Sequence, residues 1–327
     1  MAYGSWPLNK IQFGRETVQG TAVAATKVFR GNFAMLEDQT DKKVITEQIG
    51  QLVTPERRYV SKIGARLAIP STSLTFEQLP DFLEGAVKTV TPTGVGPYVR
   101  VYPIPVDGSV NTIKTYTIEA GNTQVPTDTQ EMSYSYVDEL ELSGKAGEPW
   151  MINATWIGRQ LTPATFTAAL AAPTVTDALF TNTKLYIDDS GGTIGTTQKL
   201  GTLIGARIRL RSGILQVPGG DGVQYFRAIK PGRPEVDFSI TIEVESSSLI
   251  ATERAKWVTD STRLVRLLID HGTNNKIQFD LAGVYDKIGN YENNEGNTVV
   301  TLDGHAIVDT TSSLFFSTTV TNNVALL

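Results

Sequence analysis

Residues 132–142, MSYSYVDELEL, alternate apolar and polar side chains with a period of two. Met132, Tyr134 and Leu140 fall on one face of such a strand, and serines and glutamates occupy the other. Residues 238–245, FSITIEVE, repeat this alternation in the second half of the chain. One apolar and one polar face per strand is typical of antiparallel sheets. The two stretches therefore predict a mainly β fold in which antiparallel sheets pack together as a sandwich or barrel.

The order of the predicted elements occurs twice along the chain. A long alternating strand at 58–70 is followed by a helix at 79–87 and four strands, and from residue 234 the same order returns with a helix at 249–258. Repetition at this scale indicates a duplicated unit. The strands predicted to correspond are 27–37 and 203–216, 98–102 and 263–269, 113–119 and 276–282, 131–143 and 298–308, and 150–159 and 314–321.

The duplication predicts two tandem β domains, each flanked by one helix. A chain of 327 residues is long enough for two domains that each bury a core. We expect an N-terminal arm at 1–20, a first domain at 21–165, a linker with a lead-in strand at 166–202, and a second domain with a C-terminal arm at 203–327. Gly85 inside the first helix costs about 1 kcal/mol relative to alanine, so we expect packing to hold that helix in place.

The composition of the chain excludes several classes of function. The net charge is −5, which disfavours a protein that holds nucleic acid by its phosphates. The absence of cysteine excludes disulfides and thiolate metal sites. The first residues, MAYGSWP, lack the features of a signal peptide, and no apolar run approaches the roughly 20 residues that span a bilayer. We expect no cofactor, no resident metal and no membrane contact.

Residues that carry catalysis are sparse. His305 shares a strand face with Asp303, and His271 is the other histidine, but no Gly-x-Ser-x-Gly motif accompanies them. Residues 191–195, GGTIG, lack the lysine of a phosphate-binding loop. Residues 286–297 are rich in oxygen ligands but lack the spacing of a calcium loop. The sequence therefore predicts that the protein is not an enzyme.

Residues 14–22, GRETVQGTA, resemble the start of major tail proteins of long-tailed bacteriophages. The order of strand, polar connection, long strand, helix and four strands extends this resemblance over most of the chain. It implies β-sandwich domains flanked by one helix, with a long loop before the long strand, in subunits that stack as rings into a tail tube. The duplication resembles the tandem-domain variant of this family, in which three chains supply six positions of a ring.

The resemblance also implies partners and a location. We expect a structural virion protein that forms homotrimeric rings with pseudo-sixfold symmetry, made and assembled in the host cytoplasm and located in the virion tail. Its other partners would be the tape-measure, tail-tip and tail-terminator proteins. DNA would pass through the tube during genome delivery without specific binding.

Candidate site residues follow from this interpretation. An acidic lumen would repel DNA phosphates, and an ordinary solvated strand face is the alternative for each of its candidates: Glu139, Glu141, Glu243 and Glu245. Apolar termini would dock onto neighbours. The stripe of arginines at 207, 209 and 211 would form salt bridges to a neighbouring subunit or contact DNA. The candidates for contacts between subunits are Trp6, Ile11, Phe13, Arg207, Arg209, Arg211, Leu326 and Leu327.

Three other classes remain open at this point. A carbohydrate-binding or adhesive β-sandwich of a tail tip or cell surface would show exposed tyrosine and tryptophan patches. A polysaccharide-degrading enzyme would need a cleft with two opposed carboxylates. A contractile or secretion tube is the third, although its subunits usually have one domain.

Overall fold

A computed structural model describes residues 3–53, 56–245 and 249–327. It confirms the predicted fold class. The chain is mainly β, its strands form antiparallel sheets of the β-sandwich type, and two α-helices flank the sheets. Neither helix is both long and apolar enough to cross a membrane.

The first unit contains the strands before residue 164 and the helix α1. Its elements are β1 (Asn9–Arg15), β2 (Lys27–Val28), β3 (Glu37–Asp38), β4 (Asp41–Ile45), β5 (Arg57–Lys62), β6 (Ala65–Ser73), α1 (Leu79–Ala86), β7 (Tyr98–Ile104), β8 (Tyr116–Asn122), β9 (Gln130–Lys145), β10 (Met151–Gly158) and β11 (Leu161–Pro163).

The second unit contains the remaining strands and the helix α2. Its elements are β12 (Thr183–Asp189), β13 (Gln198–Lys199), β14 (Leu203–Arg211), β15 (Leu215–Val217), β16 (Ala228–Lys230), β17 (Glu235–Glu243), α2 (Leu249–Val258), β18 (Arg263–Asp270), β19 (Lys276–Ile288), β20 (Glu292–Asn294), β21 (Asn297–Ala306) and β22 (Phe316–Asn322).

Strand pairing repeats from one unit to the other. In the first unit the neighbours follow the order β3, β6, β10, β9, β8, β1, β2. In the second unit they follow β14, β17, β21, β19, β18, β12, β13. β11 pairs with β9 as β22 pairs with β19. Each order contains more than one bulge, and one of them lies at an aspartate: Asp138 in β9 and Asp286 in β19. The two units therefore share one topology.

The pairing corrects the strand correspondence after the helices. The counterpart of β18 is β8, because both lie beside the first strand of their unit, and β9, β10 and β11 then match β19, β21 and β22. Every predicted correspondence after the helix was wrong by one strand. The error arose because β7 is an additional strand of the first unit, which pairs with β22 of the second. Only four residues, 259–262, separate α2 from β18.

Several predicted boundaries also differ. The long strand predicted at 58–70 is two strands separated by Ile63 and Gly64: β5 pairs with β4 in a hairpin of its own, and β6 belongs to the main sheet. Of the predicted strand 27–37, only residues 27, 28 and 37 are paired, since the described chain offers this edge no further partner. The strand β1 lies in the segment predicted as an N-terminal arm, whereas β12 lies within 166–202, where a lead-in strand was predicted. The division into domains stays a prediction, because the pairing continues from one unit into the other.

Aromatic packing explains the glycine in α1. A Cβ at Gly85 would lie 3.0 Å from the ring of Trp156 and 3.1 Å from Val137. Because glycine has no Cβ, the helix packs closely against β9 and β10. The Trp156 ring stacks on Phe13 with centroids 5.5 Å apart, and the Tyr116 ring meets it edge-on at 5.3 Å. Such aromatic pairs add to the stability that burial alone provides.

Candidate assembly interface

Strand pairing joins the two units along one seam, formed by the C-terminal half of β9 and by β14. The N-terminal half of β9 pairs with β8. Beyond it, seven successive residues, from Glu139 to Lys145, pair antiparallel with residues 205–211 of β14. The sheet of the first unit thus continues into the sheet of the second through backbone hydrogen bonds.

Ion pairs cross this seam. The guanidinium of Arg209 donates two hydrogen bonds of 2.8 Å to the carboxylate of Glu139. Arg207 donates one of 2.5 Å to Glu141, and Arg211 lies 3.8 Å from Glu139. The hydrogen bonds from Arg209 lower the pKa of Glu139. In turn, the hydrogen bond to Glu141 raises the pKa of Arg207, and the hydrogen bonds to Glu139 raise the pKa of Arg209. Bidentate arginine–carboxylate pairs fix register as well as adding energy.

These contacts bear on two predictions about side chains. The arginines at 207, 209 and 211 were predicted to form salt bridges to a neighbouring subunit or to contact DNA; within this chain they pair with Glu139, Glu141 and Glu235, and their contact with another subunit or with DNA stays a prediction. Glu139 and Glu141 were predicted to line an acidic lumen; each is paired with an arginine of the same chain, and its place in a lumen stays a prediction. Glu243 and Glu245 make no salt bridge within the described residues, so their lumen role stays a prediction.

A second seam joins β7 to β22 and holds the C-terminus. Arg100 in β7 is fully buried, and burial lowers its pKa. Its guanidinium donates to Asn322 Oδ1 at 3.1 Å and to the carbonyl oxygens of Val324 and Ala325 at 2.6 and 3.1 Å. This contact could not be predicted from the sequence, because a single arginine in a strand has no periodic pattern. Leu326 follows it and is 86% exposed.

The N-terminal segment, apart from its first few residues, is part of the fold. Ile11 and Phe13 are each 2% exposed because β1 pairs with β8 inside the core. Their predicted contact with another subunit was therefore wrong: as core residues of β1 they offer no surface. Trp6 is 73% exposed and packs edge-on against Phe33, with centroids 5.7 Å apart. Trp6, Leu326 and Leu327 remain predicted contact residues.

Two hairpins extend between corresponding strands, β4–β5 before β6 and β15–β16 before β17. The base of the first hairpin contacts the loop of the second: the Ile63 N–H donates to the Gln224 carbonyl at 2.9 Å, and the Gln224 side-chain amide donates to the Val60 carbonyl at 2.8 Å. Every residue of β4 is exposed. The first hairpin carries exposed apolar side chains at Val44, Ile45, Ile49, Leu52, Val53 and Tyr59. An isolated hairpin is only marginally stable in water, so these residues are suited to contact a partner.

The residues considered for chemistry occupy structural positions. His305 Nδ1 lies 2.8 Å from Asp286 Oδ1 across strands β21 and β19. The ring of His271 packs against Phe76. Residues 286–297 form the end of β19, the strand β20 and the turn that leads into β21. Among residues 3–53, 56–245 and 249–327, no three histidine or carboxylate side chains are grouped to hold a metal ion.

Comparison with known proteins identifies one family. A family model described as phage tail tube protein matches residues 7–311. The match covers the first unit, the β9–β14 seam and the second unit up to the segment before β22. No curated protein matches the sequence.

Proposed function

This chain belongs to the phage tail tube protein family, and from that premise we propose that it polymerises as stacked homotrimeric rings into the tube through which the genome is delivered. Its role as a structural component of the virion tail follows from the family itself. The number of chains in a ring and the passage of DNA are the proposed steps.

One observation carries the trimer: two units of the same topology are joined in one chain by the β9–β14 seam. A closed ring needs a head-to-tail contact that repeats under rotation. Each chain already contains one such contact between its own units. Three chains supply six units, and three further contacts between chains complete the ring.

Stacking of rings is proposed to use the hairpins. The β4–β5 hairpin exposes apolar side chains on a segment that has little packing of its own. Exposed apolar surface of this kind marks interaction sites. A neighbouring ring would bury that surface.

The tube is proposed to be a passive conduit with no enzymatic step. An acidic chain with net charge −5 repels DNA overall. Glu243, at the end of β17, and Glu245, which follows it, are candidates for the lumen surface. The tape-measure, tail-tip and tail-terminator proteins are the proposed partners at the tube interior and its ends, with assembly in the host cytoplasm.

Negative-stain electron microscopy of the purified chain, alone and after addition of tail-tip complexes as a nucleus, tests the proposal. Hollow rings or tubes of uniform width are expected. A chain that stays monomeric in both preparations and is not found in tubes of the virion would contradict it.

A further inference from the structure

The shared topology assigns each residue of the first seam a counterpart elsewhere in the chain. Aligning the two bulges places Glu139 of β9 at the position of Lys287 in β19, because these residues pair with Thr155 and Asp303 at equal distances from the bulge. Following the pairing through β10 and β6, and through β21 and β17, places Glu37 at the position of Arg209. Gln39 then matches Arg211.

Both counterpart segments are open edges. Residues 37–39 are exposed, and β3 pairs on one side only, with β6. Lys287 is exposed, and β19 pairs with β18 only up to residue 283, so the edge that follows has no strand beside it within the described ranges. Unpaired strand edges are templates for pairing with another chain. In the β9–β14 seam, the two equivalent strand edges pair with each other within one chain.

Charge at the two open edges is complementary with reversed sign. In the seam, Arg209 of β14 binds Glu139 of β9. At the counterpart positions the edge corresponding to β14 carries Glu37, and the edge corresponding to β9 carries Lys287. Each edge also exposes a large apolar side chain nearby, Met35 on one and Tyr291 on the other. A like-charged pair at these positions would have excluded the contact.

We propose that residues 37–39 of one chain pair antiparallel with residues 287–289 of the next chain, with Gln39 opposite Lys287 and the Glu37 carboxylate bound by the Lys287 ammonium. This junction reproduces the β9–β14 seam between chains and alternates with it around the ring. The inference rests on the proposed ring and specifies its contact surface. The reversed charges keep the two kinds of junction distinct, since an exchanged pairing would place Lys287 beside Arg209 and Glu37 beside Glu139.

Engineered cysteines test the register in a chain that has none of its own. The variant Gln39→Cys with Lys287→Cys is assembled, oxidised and run on a denaturing gel without reductant. Covalent species of two and three chains, and none larger, are expected. The matched control is Glu139→Cys with Arg211→Cys, whose positions pair in the same way within one chain. It should form its disulfide while remaining a single-chain band.

The outcomes separate the two proposals. If the unmodified chain forms no ring or tube, the proposed function fails and the junction fails with it. If tubes form and the control pair closes, but Gln39→Cys with Lys287→Cys stays a single-chain band, the junction is overturned and the tube is not.

Charge reversal gives an independent measurement. Glu37→Lys or Lys287→Glu alone should raise the concentration needed for assembly about tenfold, a difference of about 1.4 kcal/mol, and the double variant should recover most of it. Asp128→Lys, on an exposed turn, is the control and should change little. Single reversals that assemble as the unmodified chain does would contradict the proposed pair.

Discussion

At the residue scale, buried ion pairs hold each helix to its sheet. In the second unit the fully buried carboxylate of Glu253 accepts hydrogen bonds of 2.8 and 2.9 Å from Arg263 and one of 3.0 Å from the Tyr285 hydroxyl. In the first unit Asp81 is held in the same way by Lys27 and Tyr116. These contacts could not be predicted from the sequence, because a helix acid reveals its burial only once the partner strand is known.

Removal of the Glu253 carboxylate should therefore destabilise the chain strongly. Glu253→Ala leaves the Arg263 charge buried without that partner, which costs about 3–5 kcal/mol. We expect a loss of this size in the unfolding free energy of the unassembled chain, measured by chemical denaturation. Glu56→Gln, which removes an exposed partner of Arg58, is the control and should have little effect. Equal losses in the two variants would contradict this account.

Acid should weaken the seam between the units. The folded pKa of Glu139 is lowered below its ordinary value of 4.5 by the hydrogen bonds from Arg209. A carboxyl with a depressed folded pKa contributes stability that is present above the unfolded pKa and lost as pH falls through the folded pKa. The unfolding free energy of the unmodified chain should therefore exceed that of Glu139→Gln at pH 7, and the difference should shrink below pH 4.5. A difference that stays constant down to pH 3 would contradict the assignment.

At the scale of elements, alternation of side chains predicted strands well where one face is buried. The helix α2 begins and ends at the predicted residues, and α1 ends one residue early. The correspondence of strands failed because periodicity does not say which strands are neighbours, and β7 has its partner in the other unit. The short strands β2 and β3 were overpredicted because an edge strand reaches its full length only beside a partner.

The β4–β5 hairpin should be needed for stacking and not for folding. Val44→Ser with Tyr59→Ser removes exposed apolar surface from the hairpin and leaves the core unchanged. We expect tube length or yield in electron micrographs to fall sharply while the thermal unfolding midpoint changes little. Val110→Ser, at an exposed site outside the hairpins, is the control and should form normal tubes. Tubes of normal length in the double variant would show that stacking uses another surface.

At the scale of the whole molecule, a duplicated topology carries unequal surfaces. One hydrophobic core extends through both units, and the two seams fix them to each other. The repetition was visible in the sequence because strand and helix order survives divergence. The difference in charge between the two units was not visible in the sequence. Arg209 and Glu37 occupy one position of the topology with opposite sign, and only the strand pairing reveals that they correspond.

A cryo-EM map of the assembled tube tests the central claim most directly, because it counts chains and units in one ring. The account predicts three chains per ring and six units of one topology, with the β9–β14 seam alternating with a second junction between chains. A ring built from six chains, or one in which only one unit of each chain takes part, would contradict it.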